Sequence, residues 1–170
     1  MNVITDYQPL AAVEQVPNRL AQQAYVAGPH LMDCSLPYDL WTHEAQLAAI
    51  VYVLTQRPEL DASTAMPQYI RTYNASNRVA GIEPRRFHAT ITEFYVRAIR
   101  YFIDGLPGGT YPGYVYTSLL GSALAMPEFP LNFYSRDRLY SELAHDEIVE
   151  PDRMSLTPRA LQAHLWQACA

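Results

Sequence analysis

FHATITEFYVRAIRYFID, residues 87–104, is the stretch that decides the fold class of this 170-residue chain. Phe87, Ile91, Phe94, Tyr95, Ala98 and Phe102 recur at three- and four-residue intervals, and Glu93, Arg97 and Arg100 fall largely off that stripe. Such a period belongs to a helix with one buried face; a half-buried strand would alternate strictly. Glu93 and Arg97 are also spaced for an i,i+4 ion pair. The breadth of the stripe marks this helix as the central one.

The same rule extends outward in both directions. Over 41–56, Leu47, Ile50, Val51 and Leu54 align, Thr42 stands as N-cap, and Pro58 follows the end. A helix over 62–78 turns Met66, Ile70 and Tyr73 inward, with Pro67 near its first turn and Gly81 and Pro84 beyond it. Residues 10–26 read as one helix broken at Pro17 or as two short ones, and 28–37 read as a loop. Downstream, the glycine- and proline-rich 105–113 is a connector, and 114–125 is a helix ended by Pro127. Residues 130–145 give one or two short helices capped by Ser135 and Ser141, and Pro151 makes Glu150 extended. Thr157 as N-cap and Pro158 at the first helical position announce a last helix, packed through Leu161, Leu165 and Trp166. No segment reads as a strand. The expected fold is all-α, a single-domain irregular helical bundle of about six to eight helices.

Composition narrows the function classes. Hydrophobic residues are 49% and charged residues 17%, enough to build a core and too apolar for global disorder. No apolar run approaches the roughly 18–20 residues of a membrane span. Residues 1–8 lack the basic and apolar parts of a secretory leader, so a cytoplasmic location is expected. The formal charge of −5 argues against nucleic acid, and the pairs Arg85–Arg86 and Arg136–Arg138 sit beside acidic residues. All 12 basic residues are Arg, which excludes a Schiff-base lysine, pyridoxal phosphate held by one, and a standard P-loop. The two cysteines, Cys34 and Cys169, form no CxxC pair; a buried Cys34 and a frayed Cys169 are expected rather than a disulfide. Thirteen tyrosines against five phenylalanines point to a polar-lined cavity or to a contact surface. A monomer and a homodimer both remain open.

Among the five histidines, His30, His145 and His164 read as ordinary surface or packing residues. His43 and His88 differ, since each opens a strong amphipathic helix in an apolar setting, where an imidazole needs specific partners. His88, Ile91, Thr92 and Tyr95 share one face, and His43, Gln46, Leu47 and Ile50 share another. If the two helices pack near their first turns, two imidazoles, an amide and a hydroxyl converge. That set suits general acid–base work, a two-histidine metal site, or simple capping of helix ends. Glu44 and Glu93 point about 100° away from their neighbouring histidines and are poorly placed as co-ligands. There is no GxSxG elbow and no HExxH helix.

WTHEAQL at 41–47, FHATIT at 87–92, FYS at 133–135 and VEPD at 149–152, in this order, resemble a group of short bacterial proteins of uncharacterised function. The pattern of that group is Thr-His-x-x-His-Leu, Tyr-His-x-Thr-x-Thr, Tyr-Tyr-Ser and Glu-Pro-Asp. The resemblance spans roughly 41–153, which it marks as the core with an N-terminal extension at 1–40 and a C-terminal helix at 157–168, and it implies that His43, His88, Thr92, Tyr134 and Ser135 matter together. This chain has Gln46 where the group has its second histidine, and Phe87 where it has tyrosine. An amide is a weak transition-metal ligand, so a three-histidine site is not expected.

The leading expectation is a cofactor-free enzyme that isomerises, eliminates or cyclises an apolar small molecule, as in a biosynthetic pathway. His43 and His88 would be acid and base; Gln46, Thr92, Tyr95, Tyr134 and Ser135 would contact substrate. The two rings would face each other across one pocket. A non-catalytic small-molecule-binding or protein-interaction module, and a His-ligated metal enzyme, are the alternatives.

Overall fold

The computed structural model describes residues 19–165. Among them the chain forms eight α-helices, three short 3₁₀ turns and no strand, which establishes the all-α bundle. The helices are α1 (Arg19–Met32), α2 (His43–Gln56), α3 (Ala62–Val79), α4 (Ala89–Asp104), α5 (Pro112–Leu120), α6 (Arg136–Leu139), α7 (Glu142–Asp146) and α8 (Pro158–Leu165). Among the described residues, no helix is long and apolar enough to cross a membrane.

The long helices stand where their apolar periodicity puts them. Helix α4 buries Phe94, Tyr95, Ala98, Ile99 and Phe102 and touches α2, α3, α5, α7 and α8, so it is the central element. It starts two residues later than 87–104, because His88 caps the helix and Phe87 lies outside it, under the Arg71 guanidinium at 4.4 Å. Thr42 caps α2 by accepting from the Ala45 amide. Ser135, Ser141 and Thr157 cap α6, α7 and α8 in the same way. Leu161 and Leu165 are fully buried, whereas Trp166 and Cys169 lie outside the described residues, as do residues 10–18.

Four local expectations need correction. First, 28–37 is not all loop: α1 runs through Gly28 and Pro29 to Met32. Packing overrides the cost of an interior proline, because Ala27 and Leu31 are fully buried and Gly28 lets α1 close on α2. A Cβ at Gly28 would stand 2.4 Å from Tyr52 Cγ, nearer than any carbon pair tolerates. Second, 114–125 is divided into α5, which starts at Pro112, and a 3₁₀ turn at Ala123–Ala125. Third, Glu93 makes no ion pair with Arg97; one carboxylate oxygen of Glu93 is buried without a hydrogen bond. Fourth, Cys34 is half-buried rather than buried and adopts φ +60°, the left-handed turn that ends α1.

The tyrosines have a use beyond the two foreseen. Tyr73, Tyr95, Tyr116 and Tyr134 each bury the ring and donate the hydroxyl to a backbone carbonyl, of Leu36, Met126, Glu44 and Val149 respectively. Each ring thereby adds apolar contact while its hydroxyl satisfies a distant carbonyl. Burial raises the pKa of all four phenols, that of Tyr134 to about 12.

Candidate functional site

The first turn of α2 presents two different surfaces. Successive residues step by about 100° around a helix, so His43, Gln46, Leu47 and Ile50 face one way and Thr42, Glu44 and Ala45 another. Each surface borders a separate cavity.

On the first surface, His43, Gln46, Thr92 and Tyr95 meet in a cleft closed by Met66 and Ile70. His43 lies edge-on to Tyr95, with ring centroids 5.3 Å apart. Its Nε2 is buried and has no hydrogen-bond partner. Burial lowers its basicity, against the opposing pull of Glu44, the Ala125 carbonyl and Glu128. Burial thereby favours the neutral imidazole. The cleft volume is about 20 Å³, room for one water molecule rather than an organic substrate.

His88 does not join this cleft, so the two imidazoles do not face each other across it. Its Nδ1 accepts from the Ile91 amide at 3.3 Å, and its Nε2 donates to the Leu139 carbonyl at 2.9 Å. Both nitrogens are spent on backbone, which sets the neutral Nε2–H tautomer. The ring lies against His145, with centroids 4.1 Å apart and planes tilted by 41°. Burial first, and then the His145 and Arg86 charges, lower its pKa from 6.5 to about 4.

The other anticipated contacts lie along a seam between α4 and 133–154. Thr92 donates to the His88 carbonyl at 2.8 Å and reaches the cleft from there. Tyr134 donates to Val149, and Ser135 binds Asp152 through both its amide and its hydroxyl, at 2.7 and 2.6 Å. Thr90 adds bonds to Glu147 and Val149. The FHATIT, FYS and VEPD segments thus bond to one another along this seam, whereas His43 and Gln46 stand apart from it.

The second surface borders a much larger cavity, about 470 Å³, between α1, α2 and α5. Ala27, Leu36, Leu40, Ala45 and Leu120 form its apolar walls. Its polar lining is His30, Ser35, Thr42, Glu44 and Tyr116. Ser35 Oγ lies 2.5 Å from both the Asp33 carboxylate and His30 Nδ1. The hydroxyl has one proton, which goes to the ionised Asp33, so His30 Nδ1 donates to Ser35. Hydrogen bonds from Ser35 hold Asp33 below the usual carboxylate range. Glu44 is likewise lowered, by its own amide and the Thr42 hydroxyl. Periodicity could not have revealed this cavity, because His30, Asp33 and Ser35 belong to a helix end and its turn. The one local signal was the Asp33-x-Ser35 spacing of an Asx turn.

Among the described residues, no group of three His, Cys, Asp or Glu side chains is arranged to hold a metal ion. In comparisons with family models, curated proteins and solved structures, none matches this chain.

Proposed function

We propose that the protein binds a small, largely apolar molecule in the cavity between α1, α2 and α5. The observation that carries this reading is the cavity itself: its volume falls within the roughly 300–1,000 Å³ usual for small-molecule sites, and its walls are mostly apolar. A neutral apolar fluorophore such as N-phenyl-1-naphthylamine tests it. Saturable binding at one site per chain, abolished by Leu120→Trp, is the expected result. A signal that never saturates, or survives that substitution, removes the reading.

A second reading rests on the buried, unpartnered Nε2 of His43. In it the chain is a cofactor-free acid–base enzyme, with His43 as the base and Gln46 and Thr92 orienting the substrate. His88, with both nitrogens committed to backbone, would support α4 in this scheme rather than exchange protons. The reading requires the water-sized cleft to open. Conversion of a bound ligand that His43→Gln abolishes, without loss of binding or stability, is its expected signature. Unchanged conversion in that variant would end it.

A further inference from the structure

We infer that the molecule taken up by the cavity is an amphiphile with an amine head, whose ammonium group sits at the Glu44 side of the mouth. This inference rests on the small-molecule reading above and adds the ligand's polarity and charge.

The argument is a count of donors against acceptors around the cavity. The Tyr116 hydroxyl proton goes to the Glu44 carbonyl. The Ser35 proton goes to Asp33, and His30 Nδ1–H goes to Ser35. The Thr42 oxygen accepts from the Ala45 amide, and its hydroxyl helps to hold the Glu44 carboxyl below its usual range. What these groups leave for a ligand is mainly lone pairs: the Glu44 carboxylate and the Tyr116 oxygen.

The charge balance points the same way. Glu44 is exposed at the mouth and takes part in no ion pair among the described residues. Asp33 adds a second carboxylate beside the rim, bonded only through Ser35. No arginine is among the described lining residues, and the chain has no lysine. A carboxylate ligand would bring a like charge to this mouth with no arginine among the described lining residues to answer it. An alcohol would find acceptors but use none of the charge. An ammonium head supplies both donors and the missing positive charge, while its alkyl body covers Ala27, Leu36 and Leu120.

Calorimetric titration of the full chain at pH 8 with octylamine, octan-1-ol and octanoate tests the assignment. Octylamine should bind most tightly and octanoate most weakly. Glu44→Gln should weaken octylamine about fivefold, the scale of one partly solvated ion pair, and leave octan-1-ol unchanged. Leu120→Trp should abolish binding of both, with circular dichroism showing the helical fold intact. Equal affinity for amine and alcohol, or indifference of the amine to Glu44→Gln, overturns the amine assignment and leaves the apolar cavity reading standing. Absence of any saturable binding, or binding that survives Leu120→Trp, overturns both. A dimer that excludes the probes in sedimentation experiments would give the cavity to a second copy of the chain and likewise overturn both.

Discussion

Replacing His88 by alanine removes two bonds at once, and their sizes can be worked from the structure. The N-cap to the Ile91 amide is worth about 1 kcal/mol. The Leu139 carbonyl, in a fully buried residue, loses its donor at a further cost of about 1–3 kcal/mol. The expected loss at pH 7 is therefore about 2–4 kcal/mol by urea unfolding. His88→Asn keeps a capping side chain and should recover about 1 kcal/mol of it.

The pH dependence has a definite sign. The native ring stays neutral down to about pH 4, while the unfolded ring titrates near the ordinary imidazole value of 6.5. The unfolded state therefore binds the proton first, and stability present above pH 6.5 is lost as the pH falls toward 4. Solvent screening at a partly exposed ring reduces that loss to about 2 kcal/mol. Wild type should lose this increment between pH 6.5 and 4, and neither variant should. A His88→Ala chain within about 0.5 kcal/mol of wild type at pH 7, or a pH profile parallel to it, would refute the structural role assigned to this ring.

Three further outcomes follow from the packing and the ligand census. Leu161→Ala should cost about 2–5 kcal/mol in denaturant unfolding, since it empties a fully buried position where α8 meets α4; an unchanged midpoint would detach α8 from the cooperative fold. Gly28→Val should destabilise by about 2 kcal/mol or more, because any β-carbon there meets the Tyr52 ring and overpacking outweighs the gain in helix propensity; a neutral result would mean that α1 shifts freely on α2. Elemental analysis of protein purified without chelator should find no stoichiometric zinc, iron or copper, given Gln46 and the scattered carboxylates; one bound metal per chain, lost in His88→Ala, would reverse that.

Local chemistry was enough to read the helices. The stripe of α4, the caps Thr42, Ser135, Ser141 and Thr157, and the punctuation by Pro58, Pro84 and Pro127 are properties of neighbouring residues. They act before the chain meets itself, so they are visible in one dimension. The two faces that meet in the cleft, His43 with Gln46 and Thr92 with Tyr95, were legible for the same reason, whereas their meeting, and the exclusion of His88 from it, was not.

Tertiary structure decided what periodicity cannot encode, namely the distances between elements. Pro29 stays helical because α2 is packed against that side of α1, an energy the local sequence does not contain. His88 and His43 each open a helix, yet α6 presents the Leu139 carbonyl to His88 alone, and that one bond separates their roles. The large cavity exists because three helices meet around the turn after α1, and its chemistry depends on which donors are already spent. Residue types set what each side chain could do; the packing of α1, α2 and α5 determined which of those capacities remained unused and faced a ligand.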